Sequence, residues 1–266
     1  MKIGIVGLGV VGGACKGGFE KLGHVVKVHD IKLGTTIEAV KDTELVFLCV
    51  PTPSNENGTC DTSIVRSVVG ELAHLPSGYY KGIICIKSTV APGTTDSLIA
   101  QYPGMRFAMT PEFLRERYAL ADFTENHDLC VIGVHNDNDF WVIKAAHRNF
   151  PKKVVQMTPL EAELVKYFNN TYNATLITFA NSFYEVCKHF GVDYTHIKNA
   201  MVNRNHIVDM YLECNDNFRG FAGVCLPKDT KEIATVARRV GVDFFDNLLT
   251  ENSKYKRTVQ EGMRMD

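Results

Sequence analysis

The sequence predicts an α/β protein, a doubly wound, mostly parallel sheet followed by a long helix and a smaller all-helical domain. Three observations predict it. Short β-branched or apolar runs alternate with helix-like stretches through the first half, the signature of a parallel sheet covered by helices. Several of these runs are apolar without alternation, as strands buried on both faces require. After Met157 the strand pattern stops and one long helical stretch begins.

The elements follow in order. Strands are expected at Lys2 to Val6, Val25 to His29, Leu45 to Val50, Gly82 to Lys87, Phe107 to Met109 and Leu129 to Val134, with one more at Val154 to Met157. Thr158-Pro159 followed by Glu161 combines an N-cap, a proline at the first helical position and an acidic first turn. A helix is therefore expected from Thr158 to about Gly191. Its apolar residues, among them Leu164, Phe168, Tyr172, Phe179 and Phe183, spread around more than one face. Such a helix packs against a second domain or a second subunit, which predicts a homodimer. The remainder, Asp193 to Asp266, reads mostly helical with an irregular stretch from Asn215 to Leu226. The expected domains are 1–157, dinucleotide-binding, and 158–266, the long helix and a helical catalytic or dimerisation domain.

Charge and cysteine usage narrow the function. Lys and Arg total 29 against 30 Asp and Glu, a formal net charge of -1, so there is no electrostatic footprint for nucleic acid or an anionic membrane. The eight cysteines, at 15, 49, 60, 85, 130, 187, 214 and 225, lack the close pairs of structural zinc sites. No metal is expected. Met1-Lys2-Ile3-Gly4-Ile5-Val6 has no signal-peptide character, and no apolar run approaches a membrane span of roughly 20 residues. The expectation is a cytoplasmic protein with reduced thiols.

Gly7-Leu8-Gly9-Val10-Val11-Gly12 directly follows the first strand and opens a helix running to about Leu22, the context that gives this pattern meaning in a Rossmann-type domain. Gly7 permits the turn, Gly9 lets a pyrophosphate approach the backbone, and Gly12 lets the helix pack closely. The helix N-terminus supplies free N–H groups for phosphate. Asp30 ends the second strand, where a carboxylate accepts ribose hydroxyls and repels a 2′-phosphate. NAD is thus favoured over NADP, with Lys32 nearby softening the discrimination.

Phe221-Ala222-Gly223-Val224-Cys225-Leu226-Pro227-Lys228-Asp229 puts a cysteine just before a proline and an expected helix start. A helix N-terminus and Lys228 would stabilise its thiolate as a nucleophile. Read alone, a cysteine is more often a small buried hydrophobe. Lys166 and Asn170 project from one helix face, with Glu163 on the preceding turn. Thr89 and Glu112 follow strands, where open α/β sheets place ligands.

Gly220 to Asp229 resembles the Gly-Phe-Gly-Gly-x-Cys-Leu-Pro-Lys-Asp motif of the UDP-glucose/GDP-mannose dehydrogenase family, with Ala222 replacing a glycine. Further motifs match in order: Val50-Pro51-Thr52-Pro53, then Gly58 and Asp61; Lys87-Ser88-Thr89-Val90 with Pro92-Gly93-Thr94; Thr110-Pro111-Glu112-Phe113-Leu114-Arg115-Glu116; and Lys166 with Asn170. The resemblance covers essentially the whole chain. It implies oxidation of a nucleotide sugar, foremost UDP-glucose, at C6 to the uronic acid with two NAD in succession. Cys225 would carry thiohemiacetal and thioester intermediates. Lys166 and Asn170 would stabilise oxyanions, Asp229 or Lys166 would act as base, and Thr89, Glu112 and Asp229 would position water. It implies cofactor contacts from Gly7 to Gly12, Asp30, Val50, Pro51, Thr52, Ser88 and Thr89. Implied sugar-nucleotide contacts are Glu112, Phe113, Leu114, Arg115, Lys166, Asn170, Phe221 and Gly223.

The sequence departs from the family at Arg117, usually glycine, and at Asp128-Leu129, usually Asp-Arg. Family members continue into a third α/β domain that closes over the uridine diphosphate. Here a polar tail, Lys254 to Asp266, stands where that domain would begin. The expectation is a chain lacking the UDP-binding domain, which a partner chain would have to supply. Two other readings stand beside the first: a two-electron dehydrogenase of the 6-phosphogluconate or 3-hydroxyacid type, which needs no nucleophilic thiol, and a truncated NAD-binding module.

Overall fold

The structure is a computed structural model and describes residues 1–255. The part of the expected polar tail beyond Tyr255 lies outside the described residues. Two compact units are present: Met1–Pro53 with Cys60–Lys166, and Ser54–Thr59 with Tyr167 onward.

The first unit is built on β1 (Lys2–Val6), α1 (Val10–Lys21), β2 (Val25–His29), β3 (Leu45–Leu48), α2 (Ser63–Ala73), β4 (Ile83–Ile86), α3 (Thr94–Gln101), β5 (Arg106–Met109), α4 (Ala119–Thr124), β6 (Leu129–Gly133), α5 (Asp137–His147) and β7 (Lys153–Met157). The strands form one sheet in the order β2-β1-β3-β4-β5-β6-β7. All pairings are parallel except β5 with β6, antiparallel at Met109 and Gly133. Successive strand side chains point to opposite faces, and the core divides accordingly. Ile3, Ile5, Leu45, Phe47, Ile83 and Cys85 pack on one face with Phe19 and Phe123; Val46, Leu48, Ile84 and Ile86 pack on the other with Val69, Leu72 and Leu98.

Three strands stop earlier than the sequence suggests, β6 by one residue at Gly133 rather than Val134. β3 ends at Leu48 rather than Val50, and β4 at Ile86 rather than Lys87. Leu48 O accepts from both Lys87 N (2.9 Å) and Ser88 N (3.0 Å), which closes the ladder. Pro51 then has no N–H to extend it. The chain order reverses beside β1, which lies between β2 and β3, and the carboxyl ends of strands at such a switch point are where these sheets bind ligands.

The helix α6 spans Pro159–His189. Its start is a capping box: Thr158 N and Oγ1 donate to Glu161 Oε2 at 2.8 and 2.7 Å. Close packing of its first turn on β6 needs Gly133, where a Cβ would lie 2.6 Å from that of Ala162.

The second unit contains the rest of α6, then α7 (Tyr194–Met201), α8 (Cys225–Arg238) and α9 (Phe244–Ser253). Its core gathers Ala180, Cys187, Tyr194, Leu212 and Cys214 in one cluster and Ala174, Phe221 and Leu248 in another. Irregular chain runs through residues 202–224, longer than the 215–226 stretch expected, and α8 begins at Cys225 itself rather than after it. Pro227 is tolerated inside the first turn because the N–H groups there have no intrahelical acceptor. On α6, Phe168 and Tyr172 stack at 6.4 Å and Phe179 meets Phe183 at 5.9 Å. These rings are exposed, Phe168 by 74%. Among the described residues no helix is long and apolar enough to cross a membrane.

Candidate functional site

In the first unit the glycine loop has the geometry a dinucleotide requires. Gly7 adopts φ 89°, and a Cβ there would lie 2.7 Å from Cys49 O. At Gly12 a Cβ would come within 1.9 Å of Gly7 O, whereas the space beside Gly9 is open. The turn is thus closed toward the sheet and approachable from outside at Gly9. Gly9 also caps α1 without any side-chain hydrogen bond, so no side chain competes for the orphan N–H groups of Val10 and Val11.

Asp30 stands beside this loop. Its Oδ2 accepts from Leu8 N at 2.6 Å and its Oδ1 from Lys32 N at 2.7 Å. These two backbone donors hold its carboxyl below the usual carboxylate range, which keeps it anionic. Each carboxylate oxygen has two acceptor positions, so capacity for ribose hydroxyls remains. The residues therefore fit NAD.

The next two segments are stitched to each other. Thr52 Oγ1 donates to Thr89 O at 2.6 Å, and Ser88 Oγ donates to Val50 O at 2.7 Å. Val50, Pro51, Thr52, Ser88 and Thr89 thus form one rim at the carboxyl ends of β3 and β4. Beyond β5, Glu112 Oε2 accepts from Leu114 N at 2.6 Å, and its Oε1 pairs with Lys166 Nζ at 3.0 Å. Both side chains are largely buried, and the ammonium lies 5.8 Å from the centroid of Phe113. Arg115 turns aside: its backbone N and guanidinium both donate to Asp122, at 2.7 to 2.9 Å, which fixes the loop after Glu112.

Glu163 proves structural. Its carboxylate takes Gly93 N (2.5 Å), Thr95 N (2.8 Å) and Thr95 Oγ1 (2.6 Å), so it caps the N-terminus of α3, the end where an anion is favoured. Burial nevertheless pushes its carboxyl up against the pull of those hydrogen bonds.

In the second unit Cys225 is the first residue of α8. Of the eight cysteines it alone is exposed; Cys49 is half-buried and the other six are buried. Val224 precedes it with no side-chain cap, so Cys225 meets the open, partly positive end of a helix, the setting that favours a thiolate. Behind it, Asp229 accepts from Asn170 Nδ2 at 2.5 Å and from Lys228 Nζ at 2.6 Å. Lys228 thus forms an ion pair with Asp229. The helix α6 carries Lys166 in the first unit and Asn170 in the second.

Two asparagines missed by the sequence reading hold the segment ahead of Cys225. Asn252 on α9 accepts from Phe221 N at 2.8 Å and donates to Phe221 O at 3.0 Å. Asn181 on α6 accepts from Arg219 Nε at 2.7 Å and Gly220 N at 3.0 Å. Gly220 turns at φ 64° directly against Asn252, and Gly223 turns again at φ 78°. No local spacing links these asparagines to the cysteine motif, so the sequence carries no signal for them.

Comparison with known proteins agrees with this geometry. Residues 29–151 match the model of the UDP-glucose/GDP-mannose dehydrogenase family NAD-binding domain, and residues 160–254 that of the same family's central domain. A UDP-glucose 6-dehydrogenase of Haloferax volcanii is 28% identical over 291 residues, covering 91% of this chain and 67% of that protein. A GDP-mannose 6-dehydrogenase of Pseudomonas syringae pv. tomato is 28% identical over 300 residues, covering 95% and 68%. Among solved structures, a UDP-glucose dehydrogenase from Pyrobaculum islandicum superposes with a TM-score of 0.83 at 28% identity, covering 95% of this chain and 68% of that one. With a glycine loop and Asp30 that fit NAD, and with both family domains matched in order, the chain belongs to the UDP-glucose/GDP-mannose dehydrogenase family and takes NAD as its cofactor.

Proposed function

We propose that this protein oxidises the C6 alcohol of a nucleotide sugar, UDP-glucose first among candidates, to the carboxylate through covalent intermediates on Cys225. The observation that carries this reading is the exposure of Cys225 at the start of α8, in contrast to the other seven cysteines. A two-electron dehydrogenase has no use for a nucleophile held there.

The chemistry follows from the residue types. Asp229, through water, or Lys166 takes the alcohol proton in the first oxidation. Cys225 Sγ then adds to the aldehyde carbon, and the carbonyl oxygen becomes the hydroxyl of a thiohemiacetal. Oxidation of that carbon gives a thioester, and water adds to it, releasing the acid and returning the thiol. NAD, when bound, supplies the hydride acceptor for both oxidations. Lys166 and Asn170 present N–H donors to the oxygen on which negative charge develops. Glu112, which pairs with Lys166, orients the hydrolytic water together with Thr89 and Asp229. Phe113, Leu114, Arg115, Phe221 and Gly223 shape contacts to the sugar nucleotide. Covalent capture explains how an aldehyde is carried to the acid without release.

The substrate is tested by thermal shift with UDP-glucose, UDP-N-acetylhexosamines and GDP-mannose, each with NAD, since a ligand that binds the native state raises its melting temperature. The largest rise is expected with UDP-glucose. A larger rise with GDP-mannose would reassign the substrate, and no rise with any nucleotide sugar would overturn the reading.

A further inference from the structure

In the first unit α1 and α4 run side by side in the same direction. A Cβ on Gly17 would lie 3.1 Å from Leu120 Cδ1, one on Gly18 would strike the Phe123 ring, and Lys21 Nζ lies 3.8 Å from Glu125 Oε1. Later positions on α4 thus face later positions on α1. The short turn Glu116–Tyr118, which leads into α4, is thereby carried back beside the opening turn of α1. There a cavity of about 540 Å³ has Val10, Gly13 and Ala14 on one wall and Glu116, Arg117 and Tyr118 on another. Nothing comes within 4 Å of a Cβ placed on Gly13, so this side of the first turn of α1 is open.

The turn that presents Arg117 is held firmly. Arg115, just before it, donates from its backbone N and guanidinium to Asp122 and lies 4.9 Å from the Tyr118 ring. Tyr118 N closes the turn on Arg115 O at 2.9 Å. Of the cations on the cavity wall, Lys21 meets Glu125 at the far end of α1, and Arg117, exposed, stands at the near end. The first turn of α1 is where the glycine loop brings a cofactor's pyrophosphate. Its orphan N–H groups carry roughly half a positive charge, which together with the guanidinium outweighs the single carboxylate of Glu116. A guanidinium also offers parallel N–H donors that match two phosphate oxygens. Glycine, the usual family residue at this position, offers neither charge nor side-chain donor.

We propose that Arg117 is an additional cofactor-binding residue, whose guanidinium pairs with the pyrophosphate of NAD across the groove between α1 and α4. This contact belongs to the NAD site of the first unit alone, so it is independent of the sugar oxidation proposed for Cys225.

The test measures equilibrium binding to the full chain without turnover, by calorimetry and by competition, for the unmutated protein and for Arg117→Gly, Arg117→Gln and Arg117→Lys. The NAD dissociation constant should rise by about tenfold in the glycine and glutamine variants, the worth of one charge-assisted pair. It should rise by less in Arg117→Lys, which keeps the charge and loses the fork. ADP-ribose, which carries the pyrophosphate without the nicotinamide, should lose the same factor. Adenosine, which carries no phosphate, should bind all four proteins alike. Added salt should weaken NAD binding more in the unmutated protein than in Arg117→Gly, because screening acts on the charge that the variant lacks. Unfolding temperatures without ligand should agree among the four, since an exposed side chain contributes little to stability. NAD affinity that is equal in the unmutated protein and Arg117→Gly would overturn the proposal. So would a loss for NAD without one for ADP-ribose, which would put Arg117 at the nicotinamide, or an equal loss for adenosine, which would mean a general disturbance of the site.

Discussion

Asn170 and Asp229 are joined by a 2.5 Å hydrogen bond between side chains that are 4% and 1% exposed. Lys228 completes the group from the neighbouring position, at 2.6 Å. Lys228 and Asp229 lie in the opening turns of α8, just after Cys225, and Asn170 reaches them from α6, so the integrity of this trio bears on both the stability of the second unit and the presentation of Cys225.

Asp229→Ala deprives the buried Lys228 ammonium of its carboxylate and is expected to cost about 3–5 kcal/mol. Asn170→Ala removes one donor and is expected to cost about 1–3 kcal/mol. The double variant should cost less than the sum, because the two share one interaction. Urea denaturation of the three variants measures these differences, and strictly additive losses would mean that the residues act separately.

The acid limb of stability should carry the signature of two buried histidines. Burial, aided by the Lys87 charge, pushes His147 down to about 3 and His127 down to about 4. Both are neutral in the fold, while in the unfolded chain they take up protons below about pH 6.5. The unfolded state then binds more protons, so stability falls as pH drops from about 6.5 toward these values, by about 1.4 kcal/mol per pH unit for each fully protonated histidine. Among the described residues His147 Nε2 has no hydrogen-bond partner, and its ring lies among Phe19, Phe47 and Phe123. His147→Phe should therefore flatten the acid limb by one histidine's share. Denaturation midpoints from pH 7 to pH 4 check it, and an unchanged slope would show that His147 does not contribute.

Cofactor choice should depend on Asp30. NAD is expected to bind more tightly than NADP, and Asp30→Ala should narrow the gap, mainly by weakening NAD. Part of that loss comes from the Leu8 N–H, which gives up its acceptor. Titration with both cofactors checks the ordering, and equal affinities in the unmutated protein would contradict it.

The exposed rings on α6 are expected to lie in a two-fold interface, since apolar surface of this extent on one helix marks a protein contact. Sedimentation should give twice the chain mass of 29.7 kDa, and Phe168→Asp with Phe179→Asp should shift it toward monomer. A monomer at micromolar concentration before mutation would count against the interface.

Much of this was legible in the sequence because the signals are local. The glycine loop between β1 and α1, the apolar strands and the Thr158-Pro159 helix start are each written in adjacent residues, and the structure places them within a residue or two of expectation. The cysteine motif was legible only through resemblance, since a lone cysteine has no period or partner to betray it. Unreadable were the contacts that join distant segments. Glu163 looked like a companion of Lys166 but caps α3, seventy positions away at Gly93. The ion pair of Lys228 with Asp229 was not foreseen either. Asn181 and Asn252 gave no sign at all, because what they recognise is backbone, which every residue offers.

The role of Cys225 is the central claim, and the yield of NADH per sugar oxidised tests it most directly. With NAD and a saturating nucleotide sugar, the account predicts two NADH for each uronic acid and no free aldehyde. Cys225→Ser should form no acid, because a serine hydroxyl is scarcely ionised near pH 7 and its ester is a poorer intermediate. One NADH per sugar with aldehyde released by the unmutated protein, or acid formed by Cys225→Ser at the unmutated rate, would contradict it.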